Sequence, residues 1–138
     1  MNLPINTIIA SGPVIIEDGK VLLNRSKSTT DGKEREVFMF PGGKVENFTL
    51  PLEDTCKREV QEELGIDIKI LRPLKTILAP RIDTDGYVVL VHYLAKRIGK
   101  VTGGEGTIEW QWFDIKNLPE NITPNVREVI TSYLNETI

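Results

Sequence analysis

Two hydrophobic periods run along the chain. Residues 7–16 read as a strand, and Glu17-Asp18-Gly19-Lys20 is a tight hairpin signal leading into a second strand, Val21-Leu22-Leu23-Asn24-Arg25. Residues 26–36 are polar and contain an Asp-Gly pair, which predicts an exposed loop. Val37-Phe38-Met39-Phe40 then reads as a short apolar strand ended by Pro41-Gly42-Gly43. Over residues 52–64 the period changes: Leu52, Cys56, Val60 and Leu64 recur at four-residue spacing and form one stripe of a helix. Pro51 stands at its entrance, Glu53 and Asp54 complement the dipole of its first turn, and Gly65 follows as the C′ residue. Residues 66–78 and 87–96 read as strands around Asp83-Thr84-Asp85-Gly86, 99–106 as a glycine-rich loop, and 107–115 as an aromatic-rich strand. A last helix starts with Thr123 as N-cap and Pro124 at N1, its inner face formed by Val126, Val129, Ile130, Tyr133 and Leu134. Strands joined by hairpins, with one central and one terminal helix, make an α+β order rather than the alternation of a Rossmann domain.

Composition narrows the chemistry. The 138 residues, 40% apolar and 27% charged, suit one domain over 1–138, and no repeat or low-complexity segment divides it. With 17 Lys+Arg against 20 Asp+Glu, the net charge of -3 argues against non-specific duplex nucleic acid as a partner, since that binding runs on clustered cations. Cys56 is the one cysteine and His92 the one histidine, so neither a disulfide framework nor a Cys/His zinc cluster can form. Any bound metal must have oxygen ligands, which selects Mg²⁺, Mn²⁺ or Ca²⁺. The N-terminus has no basic n-region, and the longest apolar stretch, 87–95, is too short to span a bilayer and is interrupted by His92. The expected compartment is the cytoplasm, with no membrane partner, and the Asn-x-Thr sequons at Asn47, Asn121 and Asn135 are read as chance.

The informative segment is Arg58-Glu59-Val60-Gln61-Glu62-Glu63-Leu64-Gly65. At about 100° per residue, Glu59, Glu62 and Glu63 share an arc of about 100° that adjoins the apolar stripe. Like charges four residues apart cost roughly 0.2–0.5 kcal/mol even in a solvated helix. Arg58, four residues before Glu62, offsets part of this, and a divalent cation would offset more. The competing reading is a solvated glutamate face. Against it stand the contact of the arc with the stripe and the preceding Pro-Gly-Gly turn, which lets backbone approach a ligand closely.

Pro41-Gly42-Gly43-Lys44-Val45-Glu46, followed after a spacer by Arg58-Glu59-Val60-Gln61-Glu62-Glu63-Leu64-Gly65-Ile66, closely resembles the Nudix hydrolase signature of MutT-like proteins. The second half matches at every specified position. The first half departs: 14 residues lie between Gly43 and Arg58, one more than the pattern carries, and Leu50 stands where it has Glu. Glu46 and Glu53 are the nearby alternatives to pair with Arg58. The resemblance extends to the strand ending in Arg25, to Glu109-Trp110-Gln111-Trp112-Phe113 with Leu118-Pro119, and to the last helix. It implies a Nudix α/β/α sandwich, a mixed β-sheet between helices.

What the resemblance implies for function is hydrolysis of a phosphoanhydride bond in a nucleoside diphosphate linked to another group, X, as in a small nucleotide or nucleotide sugar. Glu59, Glu62 and Glu63 would ligate Mg²⁺ or Mn²⁺ with the carbonyl of Gly43, and Arg58 would position the carboxylates. Glu105 is the expected general base, with Glu109 second and one of the helix glutamates as the alternative. Arg25 and Arg81 are the expected phosphate contacts, and Phe40 is an aromatic that can stack on a base. Pro80 lies 14 residues past Ile66, near but not at the spacing of ADP-ribose members. Homodimers are common among relatives, and the sequence leaves the oligomeric state open between monomer and homodimer. The alternative, motivated by Leu50 and the longer loop, is a Nudix-like module that binds a nucleotide without turnover. Other motifs fail: Phe38 and Val45 occupy positions where a Walker A loop needs Gly and Ser or Thr.

Overall fold

The computed structural model describes residues 2–28, 31–82 and 84–136. Strands β1 (Ile8–Glu17) and β2 (Lys20–Ser26) are joined by Asp18-Gly19, with φ of 51° and 74°. Two left-handed residues in a row are what a two-residue hairpin loop demands, hence Asp-Gly. Then come β3 (Gly43–Lys44), α1 (Leu52–Leu64), β4 (Asp67–Pro73), β5 (Ile77–Pro80), β6 (Tyr87–Ile98), β7 (Thr107–Asp114) and α2 (Pro124–Glu136).

The sheet runs β4-β6-β1-β2-β7, with β3 added to β1 and β5 to β6. It is mixed: β1 and β6 pair in parallel from Ile8↔Val88 to Ile15↔Ala95, and the other pairs are antiparallel. Alternation along β1 and β2 decides which helix covers which face. Val14, Val21 and Leu23 pack with Val126, Val129 and Ile130 of α2. Their neighbours Ile15 and Leu22 pack with Cys56, Val60 and Leu64 of α1. The two helices therefore lie on opposite faces, as an α/β/α sandwich requires. Val60 and Leu64 are fully buried, each stabilising by roughly 1.5–3 kcal/mol, and this stripe seats the helix that carries the glutamates.

The sheet parts where the chemistry lies. β1 and β2 pair only at Ile16↔Val21 and Glu17↔Lys20. Farther from the hairpin β1 takes β3 instead, at Ala10↔Lys44 and Ser11↔Gly43, while β2 bridges Met39 through Asn24. Residues 38–44 thus fill the wedge between the strands. The backbones nearly touch there: a Cβ on Gly12 would stand 2.1 Å from the Pro41 carbonyl oxygen, and one on Gly42, at φ 146°, would stand 2.6 Å from that of Ser11.

Several expectations are corrected. Residues 37–40 form no strand, because Met39 bridges Asn24 on one side and Phe38 bridges Ile122 on the other before Pro41, which lacks an N–H, ends the run. The strand expected over 66–78 is two, β4 and β5, with a register shift between Ile70 and Arg72 and a break after Pro73. Thr123 precedes α2, yet its buried hydroxyl has no partner among the described residues; the first turn is closed by Val126 N–H donating to the Thr123 carbonyl. Asp83 of the expected turn, and Thr29 and Thr30 of the expected loop, lie outside the described residues. His92 is structural as expected: Nδ1–H donates to the Lys75 carbonyl at 2.7 Å, Nε2 accepts from Asn125 at 3.1 Å, and burial lowers its pKa. No helix among the described residues is long and apolar enough to cross a membrane.

The Gly12–Pro41 contact generates a test. Gly12→Ala forces a Cβ into a backbone carbonyl that the sheet holds on both sides. We expect a loss of about 3 kcal/mol by urea denaturation. An unchanged midpoint would show that the wedge can open freely.

Candidate active site

Glu63, one residue before the end of α1, is aimed into the wedge. Its Oε2 accepts from the Gly42 backbone N–H at 3.2 Å and from Asn24 Nδ2 at 3.1 Å. Burial pushes its carboxyl pKa from 4.5 up to about 7; the two hydrogen bonds and the charge of Arg35 act the other way, and the neighbouring Glu59 adds to the rise. Glu59, one turn earlier, packs against the next residue of the same turn: a Cβ on Gly43 would lie 2.5 Å from its Cδ. Only a glycine admits the carboxylate at that point. Arg58 Nη2 donates to Glu59 Oε1 at 2.8 Å, a charge-assisted bond that fixes its direction. Glu62 is different, with a side chain 62% exposed and an oxygen 3.9 Å from Arg58 Nε.

The fold therefore brings Glu59 and Glu63 together on the Gly42-Gly43 turn and leaves Glu62 at the solvent edge. Among the described residues no three acidic, His or Cys side chains converge closely enough to form a ready-made metal cage. Of the alternative partners for Arg58, Glu53 instead accepts from Tyr93 Oη at 3.2 Å. Glu46 acts on Arg58 only through its charge. In the longer loop before α1, Asn47 Oδ1 accepts from both the N–H and the hydroxyl of Thr49, at 2.9 and 2.6 Å. Leu50, standing where the signature has Glu, is half exposed.

A second loop closes on the C-terminus of α1, whose last carbonyls have no partner within the helix. Gly104 N–H donates to the Glu63 carbonyl at 2.7 Å, Thr102 N–H to that of Leu64 at 2.9 Å, and the Thr107 hydroxyl to that of Glu63 at 2.9 Å. A Cβ on Gly104 would sit 1.9 Å from the Glu62 carbonyl oxygen, so the approach needs glycine. Glu105 follows directly in the chain and is exposed.

Asn24 was missed in the sequence. Its signal was a polar residue following Leu22 on the inward face of β2, where an apolar side chain belongs; it is buried, and its Nδ2 also reaches Thr107 Oγ1 at 3.4 Å. Arg25 pairs with Glu109 at 3.2 Å and donates to the Arg35 carbonyl at 3.1 Å. Phe40 is buried edge-on against His92, their ring centroids 5.3 Å apart, as part of the α2-side core. Arg81 follows β5, its N–H donating to the Gly86 carbonyl, and lines a hollow of about 360 Å³ with Thr84 and Tyr87. A larger hollow of about 840 Å³ runs along α2 past Arg127 and Thr131, lined by Glu128 and Glu136 but not by Glu59, Glu62 or Glu63.

Comparison with known proteins gives this geometry a family. Residues 7–133 match the NUDIX domain. The chain is 29% identical over 119 residues to the ADP-ribose pyrophosphatase of Methanocaldococcus jannaschii, covering 86% of this chain and 68% of that one. The crystal structure of the MutT NUDIX hydrolase from Burkholderia pseudomallei is similar with a TM-score of 0.78 at 27% identity, covering 92% of this chain and 98% of that one. The MutT protein from Methanosarcina mazei Go1 gives a TM-score of 0.81 at 22% identity, covering 95% of each chain. Since the domain match takes in nearly the whole sandwich, both helices and the carboxylate-bearing turn, the chain belongs to the Nudix family and is a Nudix hydrolase.

Proposed function

We propose that this Nudix hydrolase is a divalent-metal-dependent pyrophosphohydrolase that cleaves a phosphoanhydride bond in a nucleoside diphosphate linked to X, with nucleotide sugars such as ADP-ribose as the leading substrate class. The observation that carries the reading is the meeting of two carboxylates, Glu59 and Glu63, on a turn whose glycines leave room for nothing else. The M. jannaschii relative named ADP-ribose pyrophosphatase supports the substrate class.

The donor set suits a hard cation. Glu59 and Glu63 offer carboxylate oxygens beside the Gly43 backbone, Glu62 stands one turn from Glu59 at the edge, and Glu63 carries a burial cost that a nearby positive charge would relieve. When bound, Mg²⁺ or Mn²⁺ supplies the screening of phosphate charge and the activation of water that anhydride cleavage needs. The protein's own part is positional. Arg58 holds Glu59 in place, and Gly42 and Asn24 hold one oxygen of Glu63; to Glu105, in the loop beside Gly104, we assign the proton of the attacking water.

A screen with Mg²⁺ over ADP-ribose, nucleotide sugars, NTPs, dNTPs and dinucleoside polyphosphates tests the assignment, read as release of a mononucleotide. We expect turnover that EDTA abolishes and that Glu62→Gln or Glu63→Gln lowers by about two orders of magnitude or more. Full activity in EDTA, or in both variants, would remove the mechanism.

Glu63 also links function to stability. Its raised pKa means that, between pH 4.5 and about 7, the unfolded chain ionises this group while the folded one resists, so folding stability falls as pH rises through that window. Glu63→Gln removes the penalty. In metal-free buffer at pH 8 the variant is expected to be more stable than wild type by roughly 2–3 kcal/mol, with little difference at pH 4. Equal melting temperatures at both pH values would show that the carboxylate is not held out of water.

A further inference from the structure

We propose that Arg35 is the residue that contacts the substrate's anionic diphosphate, with Arg25 behind it as its positioning residue. The proposal rests on the pyrophosphohydrolase reading above and names a specific contact within that site.

The argument starts from β2. Past Ser26 the chain makes an excursion closed by the Lys27↔Glu34 bridge, and it returns at Arg35. There the backbone is pinned twice: Arg35 N–H donates to the Ser26 carbonyl at 3.0 Å, and the Arg35 carbonyl accepts from Arg25 Nη1 at 3.1 Å. Arg25 is in turn anchored by Glu109 at 3.2 Å. Its guanidinium is held by a carboxylate and a carbonyl.

The Arg35 side chain leads toward the wedge. Its Nη1 donates to Ser26 Oγ at 3.3 Å and lies 3.7 Å from Met39 Sδ. Met39 is joined to Asn24 by two backbone hydrogen bonds of 2.9 Å, and Asn24 holds Glu63 at 3.1 Å. Two residues, Met39 and Asn24, therefore link the guanidinium to the Glu63 carboxylate, on the β2 side of the wedge. A diphosphate bridging toward Glu59 and Glu63 needs positive charge on its other flank, and a planar guanidinium matches two phosphate oxygens at once.

The experiment compares Arg35→Ala, Arg35→Lys and Arg25→Ala with wild type. It reads kcat and KM on the nucleotide that wild type hydrolyses, the Kd for inorganic pyrophosphate with Mg²⁺ by calorimetry, and the melting temperature. For Arg35→Ala we expect KM and the pyrophosphate Kd to rise by about tenfold or more, the loss expected for a charge-assisted contact. Arg35→Lys, which keeps the charge but not the fork, should recover part of that loss and also guards against a folding defect in the alanine variant. Arg25→Ala should raise KM less than Arg35→Ala while lowering the melting temperature more. Wild-type KM and pyrophosphate affinity in Arg35→Ala would overturn the proposal, as would a lowered melting temperature with both constants unmoved. A wild-type protein that hydrolyses nothing yet loses pyrophosphate affinity in Arg35→Ala would sink the enzymatic reading and leave the anion contact standing.

Discussion

A carboxylate partly withdrawn from water is the constraint around which this molecule is arranged. Glu63 loses hydration at the seam between α1, β2 and the Gly42-Gly43 turn, and two N–H donors among the described residues replace it. Those donors are in place because β1 and β2 separate after two residue pairs, admitting residues 38–44 between them. The separation in turn depends on Gly12 and Gly42, whose backbones cross with no space for a side chain. Glycine spacing, strand splay and carboxylate environment are one linked set of facts.

The helix that bears the glutamates does two jobs with one surface. Cys56, Val60 and Leu64 bury its stripe against Ile15 and Leu22, so the acidic arc beside that stripe is carried to the edge of the sheet rather than into open solvent. Glu63 falls nearest the stripe and Glu62 farthest from it, which is why one is desolvated and the other exposed. The loop carrying Gly104 and Thr107 then ties off the last carbonyls of the helix. A site made of like charges needs such a frame, because mutual repulsion would otherwise turn the side chains outward.

Much of the fold was legible because it is written in local periods. The α1 stripe marked out the helix over 52–64 that the structure shows, and Asp18-Gly19 marked the hairpin, since a turn with two positive φ angles accepts few other residues. The apolar run at 37–40 misled because apolar content reports burial, not pairing; Phe38 and Met39 are held by bridges on opposite sides instead of by one ladder. The run at 66–78 hid a break at Pro73 for the same reason. Phe40 and Arg25 show the limit for single residues. Residue type suggested ligand contact, and the T-shaped contact of Phe40 with His92 and the ion pair of Arg25 with Glu109 come from elements distant in the chain, which no local period reports.

The sequence by itself determined the hairpin, the helix register and the clustering of three glutamates on one helical arc, because each follows from spacing within a few turns of chain. It also limited any metal to oxygen ligands, by holding one cysteine and one histidine. Tertiary structure alone decided which glutamates meet, that Asn24 holds one of them, and which arginine stands beside the wedge. Those outcomes depend on where separate strands diverge and how closely backbones approach, and such distances are set by packing between segments rather than by period within one.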